Sequence, residues 1–273
     1  MKFGTFKVTI ELIRFIFGIL IAFYLNSAIF PQFQISFIVQ FIIVILVLIV
    51  YYVIAAKPTN YLLNRSLTTH FLRFLDNLQA SELDGVVTYF NGFVMKSRDP
   101  IVKSRNAFNA FYYHTKISNE PYQFIDQVSQ IVESSKDVYS IRILFVYDAI
   151  ATSYVRNGDL ESALKTYTDS LDYCEQIIDG EKYRENELQF ILNHTSILRH
   201  IIRFINSTNV RTAGAIKTPR NNNFERLCDD FFFAKVFTLK GMKEDAQPYL
   251  DRLKEYQGNL PILDTAKGLI ELN

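Results

Sequence analysis

The 273-residue sequence has no tryptophan, only two cysteines and almost no charge imbalance. Each shortage narrows what the chain can be. Cys174 and Cys228 cannot build a disulfide framework, and their scarcity fits a reducing compartment. With 29 basic and 28 acidic side chains the net charge is +1, so there is no global nucleic-acid signature and no nucleic-acid partner is expected. The patterns GxxxxGKS/T, GxGxxG, HExxH, GxSxG and CxxC are all missing, and with them the usual phosphate loops, zinc ligands and activated nucleophiles. His194 and His200 are six residues apart, about 240° around a helix, and cannot share a metal-ligating face. The sequence therefore reads as a non-enzyme, with no catalytic residue, metal or cofactor.

What the sequence does have is apolar surface. Hydrophobic residues make up 49%, with 24 Phe and 16 Tyr, and this excludes intrinsic disorder. The excess is concentrated near the N-terminus. Residues 35–56 run without a charge, interrupted only by Ser36 and Gln40, and as a helix they cross a hydrocarbon layer of about 30 Å. Tyr51 and Tyr52 sit near one end, where amphipathic rings favour the interface, and Lys57-Pro58 closes the run.

A second apolar stretch, residues 8–30, carries Glu11 and Arg14. These are three apart, so on a helix they share a face and can pair near a membrane surface. One reading is a first transmembrane helix, joined to the next through a turn near 26–34 that contains Pro31. The other is a signal-peptide hydrophobic region behind Lys2 and Lys7, with Ser27-Ala28 as its small-residue site. The acidic residue and the poor small-x-small match favour the hairpin. Residues 1–57 are thus expected to be a membrane anchor with helices at about 8–30 and 35–56. Lys2, Lys7 and Arg14 on one flank, and Lys57 and Arg65 on the other, place both ends in the cytoplasm, at a plasma or inner membrane. On that topology the N-x-S/T patterns at Asn64, Asn193 and Asn206 are chance matches.

Lys2, Lys7, Arg14 and Glu11 are the only charges before Lys57. Removing their net +2 leaves the remainder at −1. The domain expected after the anchor, 58–273, reads as all-helical. Apolar residues recur every three or four positions over 59–80, and similar stripes follow over 137–157, 159–178, 181–206, 224–240 and 243–256. Further helices are expected to open at Asp99-Pro100 and at Asn119.

One hairpin is specific. Tyr147, Ala151, Tyr154, Gly158-Asp159, Ala163, Tyr167 and Ser170 alternate aromatic and small residues around a glycine turn, a spacing that lets two antiparallel helices approach closely. This stretch resembles a tetratricopeptide repeat (TPR), departing at Glu175 where the family has proline. A weaker copy covers 227–253 through Ala234, Phe237, Gly241, Ala246 and Leu250, with Asp230 in place of the first aromatic and Leu253 in place of the last small residue.

The fold class expected is all-α: an N-terminal transmembrane helical hairpin followed by a TPR-like stack of antiparallel helix pairs. The resemblance implies a concave groove for an extended peptide or a partner helix. It would be lined by Phe145, Asp148, Thr152, Val155 and Arg156, and in the weaker unit by Phe231, Lys235, Thr238 and Leu239. A polar loop at 207–223 bears Arg211, Lys217 and Arg220 with no acid, which permits contact with anionic lipid worth about 1 kcal/mol per basic side chain. The function expected is a membrane-anchored scaffold or receptor for a protein or peptide partner. The alternative is a small membrane-complex subunit, immunity factor or transport accessory in which the transmembrane hairpin is the working part.

Overall fold

The computed structural model describes residues 3–33, 35–82, 85–88, 141–179, 185–207, 216 and 222–272. All regular structure among them is helical, with no strand. The helices are α1 (Phe3–Tyr24), α2 (Phe37–Asn77), α3 (Ile141–Asn157), α4 (Leu160–Asp179), α5 (Glu185–Ser207), α6 (Asn223–Leu239), α7 (Lys243–Leu253) and α8 (Pro261–Glu271). The helices expected to open at Asp99 and Asn119 lie outside the described residues. The chain divides into two compact units, Met1–Leu72 and Arg73–Asn273.

In the first unit, α1 does not end at the expected turn. It widens into a π-helical segment, Leu25–Ile29, and tightens into a 3-10 turn, Phe30–Gln32, with Pro31 near its start. Short polar side chains take up backbone carbonyls along this stretch: Asn26 donates to Ala22 (3.0 Å), Ser27 to Phe23 (2.8 Å) and Gln32 to Ala28 (2.7 Å). Helical backbone therefore reaches Gln32, and the next helix begins at Phe37. Helix α2 likewise outruns the apolar stretch. It continues through Pro58 to Asn77, 41 residues or about 60 Å. Pro58 has no N–H to offer the carbonyl four residues back, at Ile54, yet it does not end the helix.

Both helical stretches, Phe3–Gln32 and Phe37–Asn77, are long and apolar enough to cross a membrane, and almost none of the apolar windows is buried. Where the two meet, the contact is polar. Arg14 donates to the carbonyl of Tyr52 (2.6 Å) and lies over its ring (4.7 Å), while the Tyr51 hydroxyl donates to the carbonyl of Arg14 (2.9 Å). The pairing of Glu11 with Arg14 is present at 3.8 Å. Gly18 lets the Tyr52 ring come close, since a Cβ there would sit 3.3 Å from the Tyr52 hydroxyl.

In the second unit, α3 packs on α4 and α6 on α7. Both hairpins turn in the same way. Gly158 at φ 85° donates to Val155, and Asp159 donates to Tyr154; Gly241 at φ 72° donates to Thr238, and Met242 donates to Phe237. These are Schellman turns, which satisfy the last helical carbonyls and need a left-handed residue. Ala151 and Ala163 in one hairpin, and Ala234 and Ala246 in the other, are fully buried. Asp159 caps α4 by accepting from the Ser162 amide (3.0 Å), and Asn222 caps α6 through the Glu225 amide (2.9 Å).

Asp230, the odd residue of the weaker copy, has an explanation in the structure. It is 1% exposed and accepts from Arg252 (2.7 Å) and from the Tyr256 hydroxyl (2.9 Å). A buried carboxylate, paired with the part-exposed Arg252, thus fills the place of the aromatic. Helix α8, absent from the sequence-based series, buries Ile262, Leu263, Ala266 and Leu269. The loop before it grips the residue that ends α2: Asn259 donates to the Leu78 carbonyl (3.2 Å), and its side chain accepts from Ala80 (2.8 Å).

Gly258 sits against that carbonyl so closely that a Cβ would lie 2.5 Å from the Leu78 oxygen. Gly258→Ala is expected to lower stability by about 2 kcal/mol or more, because rigid backbone must move. Thermal unfolding of the detergent-solubilised chain checks this, with Gly268→Ala inside α8, where nothing lies near the new methyl and helix propensity favours alanine, as a control that should not lose stability.

Candidate functional site

Helices α3, α5 and α6 line a cavity of about 360 Å³, partly open to solvent, in the second unit. Helix α3 supplies Phe145, Asp148 and Thr152, which at spacings of three and four form one stripe. Helix α5 supplies Phe190, His194, Ile197, Leu198 and Ile201, again a single face. From α6 come Phe224, Glu225, Cys228, Asp229, Phe232 and Phe233. Tyr167 of α4 and the buried Ile216 also line it.

Aromatic contacts fix these helices in register. Phe145 meets Phe190 at 5.5 Å, and Phe190 stacks on His194 at 6.0 Å with the rings 11° from parallel. Further along, Phe204 packs edge-on to Phe233 (5.3 Å) and Phe237 (5.0 Å). Lys240 donates to the carbonyl of Ile205, which anchors the C-terminal turn of α5 to α6.

Polar groups in this wall are few, and their environments are uneven. Thr152 spends its hydroxyl on the Asp148 carbonyl four residues back (2.7 Å). The Nε2 of His194 is buried with no hydrogen-bond partner. Burial holds the His194 imidazole below its ordinary pKa of 6.5, an effect the nearby Asp148 carboxylate partly offsets. Cys228 lines the cavity, whereas Cys174 is buried away from it, its thiol pushed up to about 11 by burial and therefore a poor nucleophile.

Of the nine groove positions expected from sequence, the structure brings Phe145, Asp148 and Thr152 together on the cavity wall. Val155 and Arg156, one turn further along α3, are buried. The Arg156 guanidinium lies 6.0 Å from the Phe231 ring, and burial pushes its pKa down to about 10. Phe231 is itself buried. Lys235 and Thr238 are half-buried and Leu239 is exposed against Gly158; none of these three lines the cavity. Burial lowers the Lys235 pKa.

Helix α6 turns its 224, 228 and 232 stripe to the cavity, about 100° around from the 231, 235 and 238 stripe. The third wall, α5, has no place in a two-repeat pattern, and sequence reasoning missed its contribution. The signal was available in the 190, 194, 197, 201 periodicity. Arg211, Lys217 and Arg220 lie outside the described residues. Among the described residues no cluster of His, Cys, Asp and Glu could hold a metal ion.

No family model matches the chain, and no curated protein or solved structure is similar to it.

Since the folded state binds the His194 proton less readily than the unfolded chain, acid favours unfolding. The stability owed to this group is complete above about pH 6.5 and falls as pH drops below it. Melting curves at about pH 7.5 and about pH 5 should therefore show a loss that shrinks in His194→Gln. An unchanged loss in the variant would assign the acid sensitivity to other groups.

Proposed function

We propose that this chain is a membrane-anchored scaffold or receptor whose second unit carries TPR-like hairpins and binds a protein or peptide partner. The observation that carries the reading is the cavity on the α3 stripe, next to a hairpin built on buried alanines and a glycine turn. Tetratricopeptide hairpins present the same kind of surface, and the 83-residue offset between Gly158 and Gly241 recurs at Ala151 and Ala234 and at Ala163 and Ala246. Stacked repeats hold extended ligands on such faces.

Membrane attachment is supported by the exposure of the apolar side chains of α1 and α2. Phe15, Phe23, Phe37, Ile38 and Val53 are each more than half exposed. In water so large an apolar surface would drive aggregation; in lipid it is matched to its solvent. The Arg14 guanidinium stands level with Tyr51 and Tyr52, where its carbonyl and ring contacts offset the cost of a charge at the membrane edge. The basic residues on both outer flanks favour cytoplasmic ends.

Asp148 and Lys235 separate the cavity from the remainder of the expected groove. Capture of the partner from detergent-solubilised membranes by the tagged full chain should fall about tenfold with Asp148→Ala and stay within about twofold with Lys235→Ala. Replacing residues 1–57 with an unrelated anchor should preserve capture. Loss of function on that swap, with capture intact, would instead make the transmembrane hairpin the working part.

A further inference from the structure

We infer that α1 and α2 together hold a phospholipid whose headgroup joins a phosphate to a hydrogen-bonding ammonium, as in phosphatidylethanolamine. Arg14 takes the phosphate, Glu11 takes the ammonium, and an apolar groove on α2 takes an acyl chain. This assignment rests on the membrane reading of α1 and α2, and all of its residues belong to the first unit.

Arg14 is a cation with donors to spare. Its guanidinium donates to the Tyr52 carbonyl (2.6 Å), and its Nε is buried with no hydrogen-bond partner. Glu11 stands 3.8 Å away, within ion-pair range and beyond hydrogen-bonding distance. The Glu11 carboxylate is half exposed. Water would complete such a pair on a soluble surface; at the edge of a bilayer the polar groups of lipid do so. Hydrogen bonds between charged partners are the strong ones, so a phosphate on Arg14 and an ammonium on Glu11 each gain by the exchange.

The order along α1 matches the order within that headgroup. Phe3 meets His70 and Arg14 meets Tyr52, so α1 runs antiparallel to α2 and its N-terminal direction leads past Lys57, out of the apolar stretch. Glu11 therefore lies nearly one turn, about 4.5 Å, outward of Arg14. In the lipid the phosphate joins the glycerol, and the ammonium sits a short ethylene link farther from the chains. Inward of Arg14, and lined by it, a shallow open groove follows the stripe Ile45, Leu48, Ile49 and Val53 for about 12 Å along α2. These side chains are bulky, unlike the small residues that let a further transmembrane helix come close, and an acyl chain is the better fit. A headgroup with phosphate alone would meet the Glu11 charge, and a quaternary ammonium has no N–H to donate.

Nanodiscs holding equal parts of dioleoyl phosphatidylethanolamine, phosphatidylcholine and phosphatidylglycerol test this on the full chain. After transfer into mild detergent, native mass spectrometry counts the lipids that each molecule retains. Phosphatidylethanolamine should be retained about fivefold over either of the others. Arg14→Gln should remove most of that retention, and Glu11→Gln should let phosphatidylglycerol rise to the level of phosphatidylethanolamine. Phosphatidylcholine or phosphatidylglycerol retained as strongly as phosphatidylethanolamine by the unmodified chain would overturn the headgroup inference and leave membrane attachment standing. So would a phosphatidylethanolamine preference that both variants keep, since the lipid would then sit elsewhere. A chain that does not enter nanodiscs at all contradicts the membrane reading and the lipid site together. The ranking on the unmodified chain needs no variant to fold.

Discussion

Two helices can run side by side at close range only where the residues between them are small enough for the backbones to meet. In the second unit that condition is satisfied twice in the same way. One alanine lies on each helix of a pair, Ala151 and Ala163 in one hairpin and Ala234 and Ala246 in the other, all fully buried. At the end of each first helix a glycine in the left-handed region reverses the chain without leaving carbonyls unpaired. Larger residues at the alanine positions would push the helices apart and strain a well-packed interior. The aromatic layer between α5 and α6, and the cavity that opens beyond it, both presuppose this spacing.

The cavity exists because α5 stands between the hairpins and brings its own aromatics. Phe190 and His194 reach Phe145 at one end, while Phe204 locks against Phe233 and Phe237 at the other. Between these two aromatic contacts lie Ile197, Leu198 and Ile201, and the volume they leave is not filled by α3 or α6. The cost of the unpartnered His194 nitrogen adds to the case that the space has an occupant.

Much of this architecture was legible in the sequence. Uncharged length marked the two apolar helices, and the three-four periodicity marked α3 to α7 within a few residues. The hairpins were readable because glycine, alanine and aromatic residues each answer a local steric demand. Site residues were harder. Phe145, Asp148 and Thr152 came from a local repeat pattern, but the face that α6 presents depends on α5, a nonlocal partner that no repeat spacing encodes. Asp230 looked like a defect in the pattern because its compensation, Arg252 and Tyr256, lies more than twenty residues away. Helix α8 was overlooked although Leu260-Pro261 opens it with proline at its first position. The continuation of α2 through Pro58 was hidden because proline reads as a stop in isolation.

The proposed partner should enter the α3, α5 and α6 cavity rather than lie on the outside of the hairpins. A photo-crosslinking residue placed at Phe145, on the cavity wall, or at Lys165, on the exposed side of α4, measures this directly in the full chain in native membranes. The account predicts a partner adduct from position 145 and none from position 165. An adduct from 165 alone would contradict it.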